Sequence, residues 1–236
     1  MSTVLVVVAH PDDEVLGCGG TIARYARDGH AVHVLVLADG VGARYAAGVT
    51  DSARTEERGR RTDALQRAAA ILGVSGVETA DFPDNAMDTV PLLHVAQRIE
   101  QSIARLTPHI VLTHHAGDVN QDHRQTHDAV VAACRPQPGH SVRTLLTFEV
   151  ASSTEWQLPG TRAAFEPNWF VDTTDTLELQ LAALEAYAEE LREWPHPRSV
   201  RALRARAEWR GATVGCAAAE AFMVGRHIVG RPIVRA

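Results

Sequence analysis

The chain contains no lysine: all 23 basic residues among its 236 are arginine. That absence excludes a Schiff-base lysine, a pyridoxal-phosphate enzyme and a Walker A phosphate loop. The Gly17-Cys18-Gly19-Gly20 cluster therefore reads as a surface that lets a helix pack close to a sheet. Cysteine is scarce. Cys18, Cys134 and Cys216 are scattered, form no Cys-x-x-Cys pair and are odd in number, which points to a reducing, cytoplasmic compartment. No apolar run reaches the roughly 18 residues of a membrane span. The N-terminus shows neither a basic n-region nor a small-residue cleavage site, so no signal peptide is expected. A basic surplus is missing too: the net charge of -6 argues against nucleic-acid and anionic-membrane partners.

What is present is an ordinary globular composition, 45% hydrophobic and 22% charged, enough for a single domain over residues 1–236 with a full core. Apolar runs at Val4–Val8, Ala31–Ala38, Gly76–Ala80, Ile110–Thr113 and Thr144–Val150 alternate with helical patterns near Val15–Asp28, Thr55–Leu72, Leu92–Leu106 and Asp122–Ala133. The alternation predicts an α/β fold, a Rossmann-like three-layer αβα structure around a mostly parallel sheet. Two further helical patterns, Thr176–Arg192 and Ser199–Arg210, are read as cover for that sheet. The Gly40–Ala53 segment, with Arg44 and Tyr45, reads as a loop and candidate lid. The irregular Ser152–Trp169 stretch is a candidate contact surface should the chain form a homo-oligomer.

The chemistry concentrates at the end of the first run. Val4–Val8 is short, Val-rich and apolar throughout, as a strand buried on both faces would be. It ends in His10-Pro11-Asp12-Asp13-Glu14. Folding alone gives no reason for so much charge there, whereas strand carboxyl ends are where open α/β sheets bind ligands. His10 and Asp13 can share one metal ion, and Pro11 restricts the turn between them. Asp12, pointing away from Asp13, could then act as general base toward a metal-bound water. Glu14 opens the next helix, where the dipole favours a carboxylate. A third ligand is expected from the crowded loop after Ile110–Thr113, which holds His114, His115, Asp118, Asn120, Asp122 and His123. His123 is the best placed and His127 a weaker candidate. Lone histidines such as His30, His33, His94 and His109 are discounted.

The Ala9–Glu14 segment, with Asp118-x-Asn120-x-Asp122-His123-Arg124 further on, resembles the PIG-L or LmbE-like zinc deacetylases. Ala68–Val74, the Phe82-Pro83-Asp84-Asn85 turn and Ala219-Glu220-Ala221-Phe222 also look like that family. The resemblance implies His10, Asp13 and His123 as ligands of one Zn2+ per chain, or of another divalent metal such as Fe2+. It implies Asp12 as the base, with Asn120 and Asp122 completing the catalytic set, and Asp84 as a binder of sugar hydroxyls. An arginine of the second helix, from Arg54, Arg58 and Arg61, would help hold the sugar. Many relatives carry a histidine where Asn120 stands, and it aids both the oxyanion and the leaving amine. Asparagine can donate a hydrogen bond but cannot deliver a proton as imidazolium. The general acid is then Asp12 itself, His196 or His127. His196 lies between two prolines, where the plainer reading is a turn residue and the alternative a contact with substrate.

The activity so implied is removal of an N-acetyl group from an N-acetylglucosamine-type conjugate, a small-molecule substrate whose aglycone is open. Tyr45, Trp156, Phe165 and Trp169 are candidates to stack on sugar rings. The rival readings are hydrolysis of a different amide or ester at the same metal, and a sugar-binding relative without catalysis.

Overall fold

The computed structural model describes residues 2–41 and 51–230. Among these the chain forms β1 (Thr3–Val8), α1 (Asp13–Arg27), β2 (Ala31–Ala38), α2 (Asp51–Leu72), β3 (Gly76–Phe82), α3 (Leu92–Leu106), β4 (Ile110–His114) and α4 (Gln121–Ala133). It continues through β5 (Thr144–Phe148), β6 (Trp169–Asp172), α5 (Leu177–Glu185), α6 (Val200–Ala212) and β7 (Ala219–His227). Most of the expected Gly40–Ala53 lid, with Arg44 and Tyr45, lies outside the described residues, as does the side chain of Arg54.

Every residue of β1 from Val4 to Val8 is fully buried, because alternate side chains enter two different cores. Val4, Val6 and Val8 pack with Leu16 and Ile22 of α1, Leu65 of α2, Leu181 of α5 and Leu203 of α6. Leu5 and Val7 pack with Val95 and Ile99 of α3 and Val130 of α4. That two-sided burial is why the run shows no polar alternation. The strand order is β3-β2-β1-β4-β5-β7-β6, with parallel pairing from β3 through to β5. The expected three-layer, mostly parallel architecture is the one observed.

Winding proceeds outward from β1 to β2 and β3, then returns to β4 on the other side of β1. The topological switch point therefore lies between the carboxyl ends of β1 and β4, where such sheets form their ligand crevice. The His10–Glu14 segment and the His114–His123 loop begin at those two strand ends.

The glycine cluster has the close-packing role its composition suggests. A Cβ at Gly17 would collide with the Phe148 ring of β5, and one at Gly20 would come within 2.8 Å of Thr173. Between them α1 breaks at Cys18 (φ -152, ψ 27). The break leaves the Gly20 and Thr21 amides to donate to the Glu220 carboxylate of β7, at 2.9 and 2.6 Å.

The sheet edge departs from the sequence expectation. The tail is expected to supply two covering helices, and no strand is foreseen there, yet β7 inserts antiparallel between β5 and β6. Glu220 and Gly225 interrupt its apolar pattern, and its outer half is only partly buried, so no strand period is visible. The first tail helix pattern, Thr176–Arg192, is also shorter than expected: α5 ends at Glu185, and the chain then turns inward with Tyr187 and Glu190 buried.

Candidate metal centre and active site

The turn after β1 puts the charges of His10, Asp12 and Asp13 below the surface; these residues are 7%, 2% and 0% exposed. Its backbone is held unusually. Asp12 has φ 113, a left-handed conformation uncommon for a residue with a Cβ. The Asp12 carbonyl accepts from Val15 and Leu16, starting α1, while its amide donates to Glu14 Oε2 at 3.0 Å. Asp12 makes no side-chain cap on α1. Its Oδ2 instead accepts from Arg198 Nη1 at 3.0 Å. Glu14 also accepts from the Tyr187 hydroxyl at 2.5 Å, so it braces the turn.

Asp13 and the two histidines converge. Asp13 Oδ2 lies 3.4 Å from His10 Nδ1 and Asp13 Oδ1 lies 3.3 Å from His123 Nε2. One ligand atom from each of His10, Asp13 and His123 falls within a mutual distance of 4.8 Å. Each histidine has a carboxylate on its far nitrogen. His123 Nδ1 is 3.2 Å from Asp118 Oδ2, and His10 Nε2 is 3.1 Å from both Asp122 Oδ2 and Asp84 Oδ1. Such outer carboxylates orient imidazoles so that the inner nitrogen offers its lone pair to a metal. Asp118 is itself anchored by the hydroxyls of Ser153 and Thr154.

A second grouping, His10, Asp84 and Asp122, meets the same distance test. Asp122 differs from Asp13 in one respect that decides between them. Its two oxygens already accept from the Asn85 and Met87 amides, at 2.7 and 3.1 Å. Asp13 Oδ1 is buried without a hydrogen-bond partner, a costly state for a carboxylate that a cation would relieve. The donor set His/Asp/His suits zinc or a similar divalent ion.

Electrostatics agree with that fit. Burial opposes charge on His10 and His123, yet hydrogen bonds that the imidazole donates to Asp122, Asp13 and Asp84 raise His10 well above its ordinary value. Asp13 and Asp118 raise His123 to about 9. The carboxylates thus draw positive charge into this space. Burial pushes Asp12 up to about 6, with the Arg198 guanidinium pulling the other way. A base in that range can accept and release a proton near neutrality.

The other expected residues with described side chains each have partners in the structure. Asn120 is the N-cap of α4, its Oδ1 accepting from the Asp122 amide at 2.8 Å. The side chain of Asp84, a half-buried residue, lies against His10, and its Oδ1 also accepts from Asn85 Nδ2 at 3.1 Å. Arg61 is turned inward: it donates to the carbonyls of Gly40 and Pro11 and to Glu190. Arg58 pairs with Asp39 and Asp81. His196 stacks edge-on against Trp156 and accepts from the Arg198 amide through Nδ1. His127 contacts the carbonyl of His114. Sequence reasoning passed over Arg198, Glu190, Tyr187 and Ser153. A polar segment framed by prolines, Pro195-His196-Pro197-Arg198, was the available signal, and it drew notice to the histidine alone.

The profile described as PIG-L: GlcNAc-PI de-N-acetylase matches residues 5–134, over half of the chain. The chain belongs to the PIG-L family. A Mycobacterium sp. (strain JLS) relative, 1D-myo-inositol 2-acetamido-2-deoxy-alpha-D-glucopyranoside deacetylase, is 29% identical, covering 83% of this chain and 76% of the relative. The diacetylchitobiose deacetylase of Thermococcus kodakarensis is 31% identical, covering 80% and 70%. Among solved structures, the 4-carboxy-2-hydroxymuconate hydratase of Pseudomonas putida KT2440 superposes with a TM-score of 0.79 at 23% identity, over 98% of this chain and 99% of that one. That last likeness concerns the fold alone. The PIG-L match contains the whole His10–Asp13 turn and the Asp118–His123 loop, while Tyr187, Glu190 and Arg198 lie beyond it.

Proposed function

We propose that the chain is a metal-dependent N-deacetylase that hydrolyses the acetamido group of an N-acetylglucosamine-type conjugate. One observation carries the reading. In a PIG-L chain, a buried His10/Asp13/His123 group with an orphaned carboxylate oxygen lies at the switch point, beside a second carboxylate, Asp12. His10, Asp13 and His123 would hold the ion, and Zn2+ is the assignment their donor set favours, with Fe2+ an alternative. When bound, such an ion polarises an acyl carbonyl and acidifies water.

The protein's own groups do the rest. Asp12 takes the proton of the attacking water on its carboxylate and passes it to the departing amine, so one residue serves as base and acid. Asn120 offers its amide N–H groups to the developing oxyanion, its Oδ1 being committed to the Asp122 amide. Asp122 keeps the inner nitrogen of His10 aimed at Asp13. Asp84 accepts from sugar hydroxyls. Arg61 secures the Pro11 carbonyl and so supports sugar binding through the turn. A hydratase shares this fold, so the chemistry follows from the site and the family and not from the architecture.

The test is metal content together with release of free amine from a small panel of N-acetylglucosamine glycosides. About one zinc per chain with amine release is expected. Asp12→Ala is expected to keep its metal and lose about 10²–10⁴-fold in kcat. A fully active Asp12→Ala protein would remove Asp12 from the mechanism, and a protein that binds no added metal would overturn the reading.

A further inference from the structure

We propose that Arg198 is a positioning residue: it holds the Asp12 carboxylate for proton transfer, and the C-terminal segment that carries it completes the active site. The inference rests on the deacetylase reading and extends it to residues outside the PIG-L match.

Asp12 is held in two separate ways. Its backbone, at φ 113, is fixed by local bonds: the amide to Glu14, the carbonyl from Val15 and Leu16, and the Pro11 carbonyl from Arg61 Nη2 at 3.0 Å. Such a conformation is strained for a residue with a Cβ and persists where the surroundings over-determine it. None of those bonds engages the carboxylate. Arg198 does, through Nη1 to Oδ2 at 3.0 Å, and this oxygen's engagement leaves Oδ1 to receive the proton.

Arg198 is itself fixed from several sides. Its Nε donates to Ser152 Oγ at 2.7 Å, and Nη1 lies 3.5 Å from Glu190 Oε2. Glu190 is 4% exposed and is held from its other oxygen by Arg61 at 2.8 Å. The Arg198 amide donates to His196 Nδ1, and the next residue, Ser199, caps α6 through the Ala202 amide. Its guanidinium therefore arrives with a set plane and little freedom to lose. Ser152 adjoins Ser153, whose hydroxyl holds Asp118, the carboxylate behind His123. One arginine thus ties the base to the turn that orients a metal-binding histidine. This geometry also gives His196 a place: it steadies the Arg198 backbone.

The experiment uses the zinc-reconstituted full chain and the same glycoside panel, comparing wild type with Arg198→Ala, Arg198→Lys and Ser152→Ala. A small displacement of a reacting group can cost about 100-fold in rate. Arg198→Ala is expected to lose about 10- to 100-fold in kcat with KM nearly unchanged and metal content intact. Guanidinium ion, well below denaturing concentration, should restore part of that loss. Lysine should restore little, because one ammonium cannot serve Ser152 and Asp12 with a planar fork. Ser152→Ala, which removes one anchor, should show a smaller loss and covers the case in which Arg198→Ala fails to fold. A crystal structure of Arg198→Ala should show the Asp12 carboxylate displaced.

Unchanged kcat, a rise in KM alone, or an undisplaced Asp12 would each overturn the proposal. If wild type releases no amine from any substrate, the deacetylase reading fails, and the position of Asp12 in the variant crystal still decides the role of Arg198.

Discussion

At the scale of single residues, the site is a set of carboxylates whose differences come from their partners. Asp13 is buried with one oxygen unmatched, Asp122 has both oxygens matched by amides, and Asp12 faces a guanidinium. Those differences underlie the roles of ligand, brace and base proposed for the three carboxylates. The bracing role of Asp122 has a measurable consequence. Asp122→Asn keeps an acceptor for one amide but weakens the hold on His10 Nε2–H, so metal affinity should fall about 10- to 100-fold, as for other outer-shell partners. Competition with a chromophoric chelator measures it; unchanged affinity would mean that Asp84 alone orients His10.

At the scale of elements, the break in α1 is the feature with the most consequence. A helix interrupted at Cys18 exposes amides inside the core, and Glu220 of β7 satisfies two of them. Glu220→Ala leaves Gly20 and Thr21 without acceptors and should cost about 1–3 kcal/mol, read as a lower urea midpoint. Burial raises the Glu220 carboxyl above its ordinary 4.5, against the pull of those hydrogen bonds. A raised acid binds its proton more tightly when folded. Its contribution is therefore complete below 4.5 and is lost as pH climbs through the folded value. Relative to wild type, Glu220→Gln should gain stability as pH rises from about 4.5, since glutamine has no proton to lose. Parallel pH dependences in the two proteins would show that Glu220 does not titrate differently in the folded state. The sequence displayed Ala219-Glu220-Ala221-Phe222 clearly enough, but only as part of a resemblance. That it was a strand, and that its glutamate caps a broken helix, depended on pairing with β5 and β6.

At the scale of the whole molecule, the active site joins two parts of the chain. Residues 5–134 carry the side chains proposed to bind the metal and the family match, while the C-terminal part supplies β7, α5, α6 and the Arg198–Glu190 pair. A chain ending after β5 should lack the β7 partner of Phe148, the cap on α1 and the brace on Asp12. We expect such a truncation to show no cooperative unfolding transition and no stoichiometric zinc binding. A truncated chain that binds zinc as tightly as the full one would show that residues 5–134 form the centre unaided.

The sequence by itself determined the parallel core, the strand end that carries His10, Asp12 and Asp13, and the loop that carries Asp118 to His123. Those signals are local: an apolar run too short for a helix, followed within a few residues by groups that folding alone would not place there. The tertiary structure decided which of the carboxylates and histidines near the site face one another, and which are already satisfied. It also brought Arg198 to Asp12 across 186 residues and turned a polar tail segment into β7. No local period encodes those contacts. They exist because burial in a folded core requires a partner for every charge, and that partner is chosen by position in space.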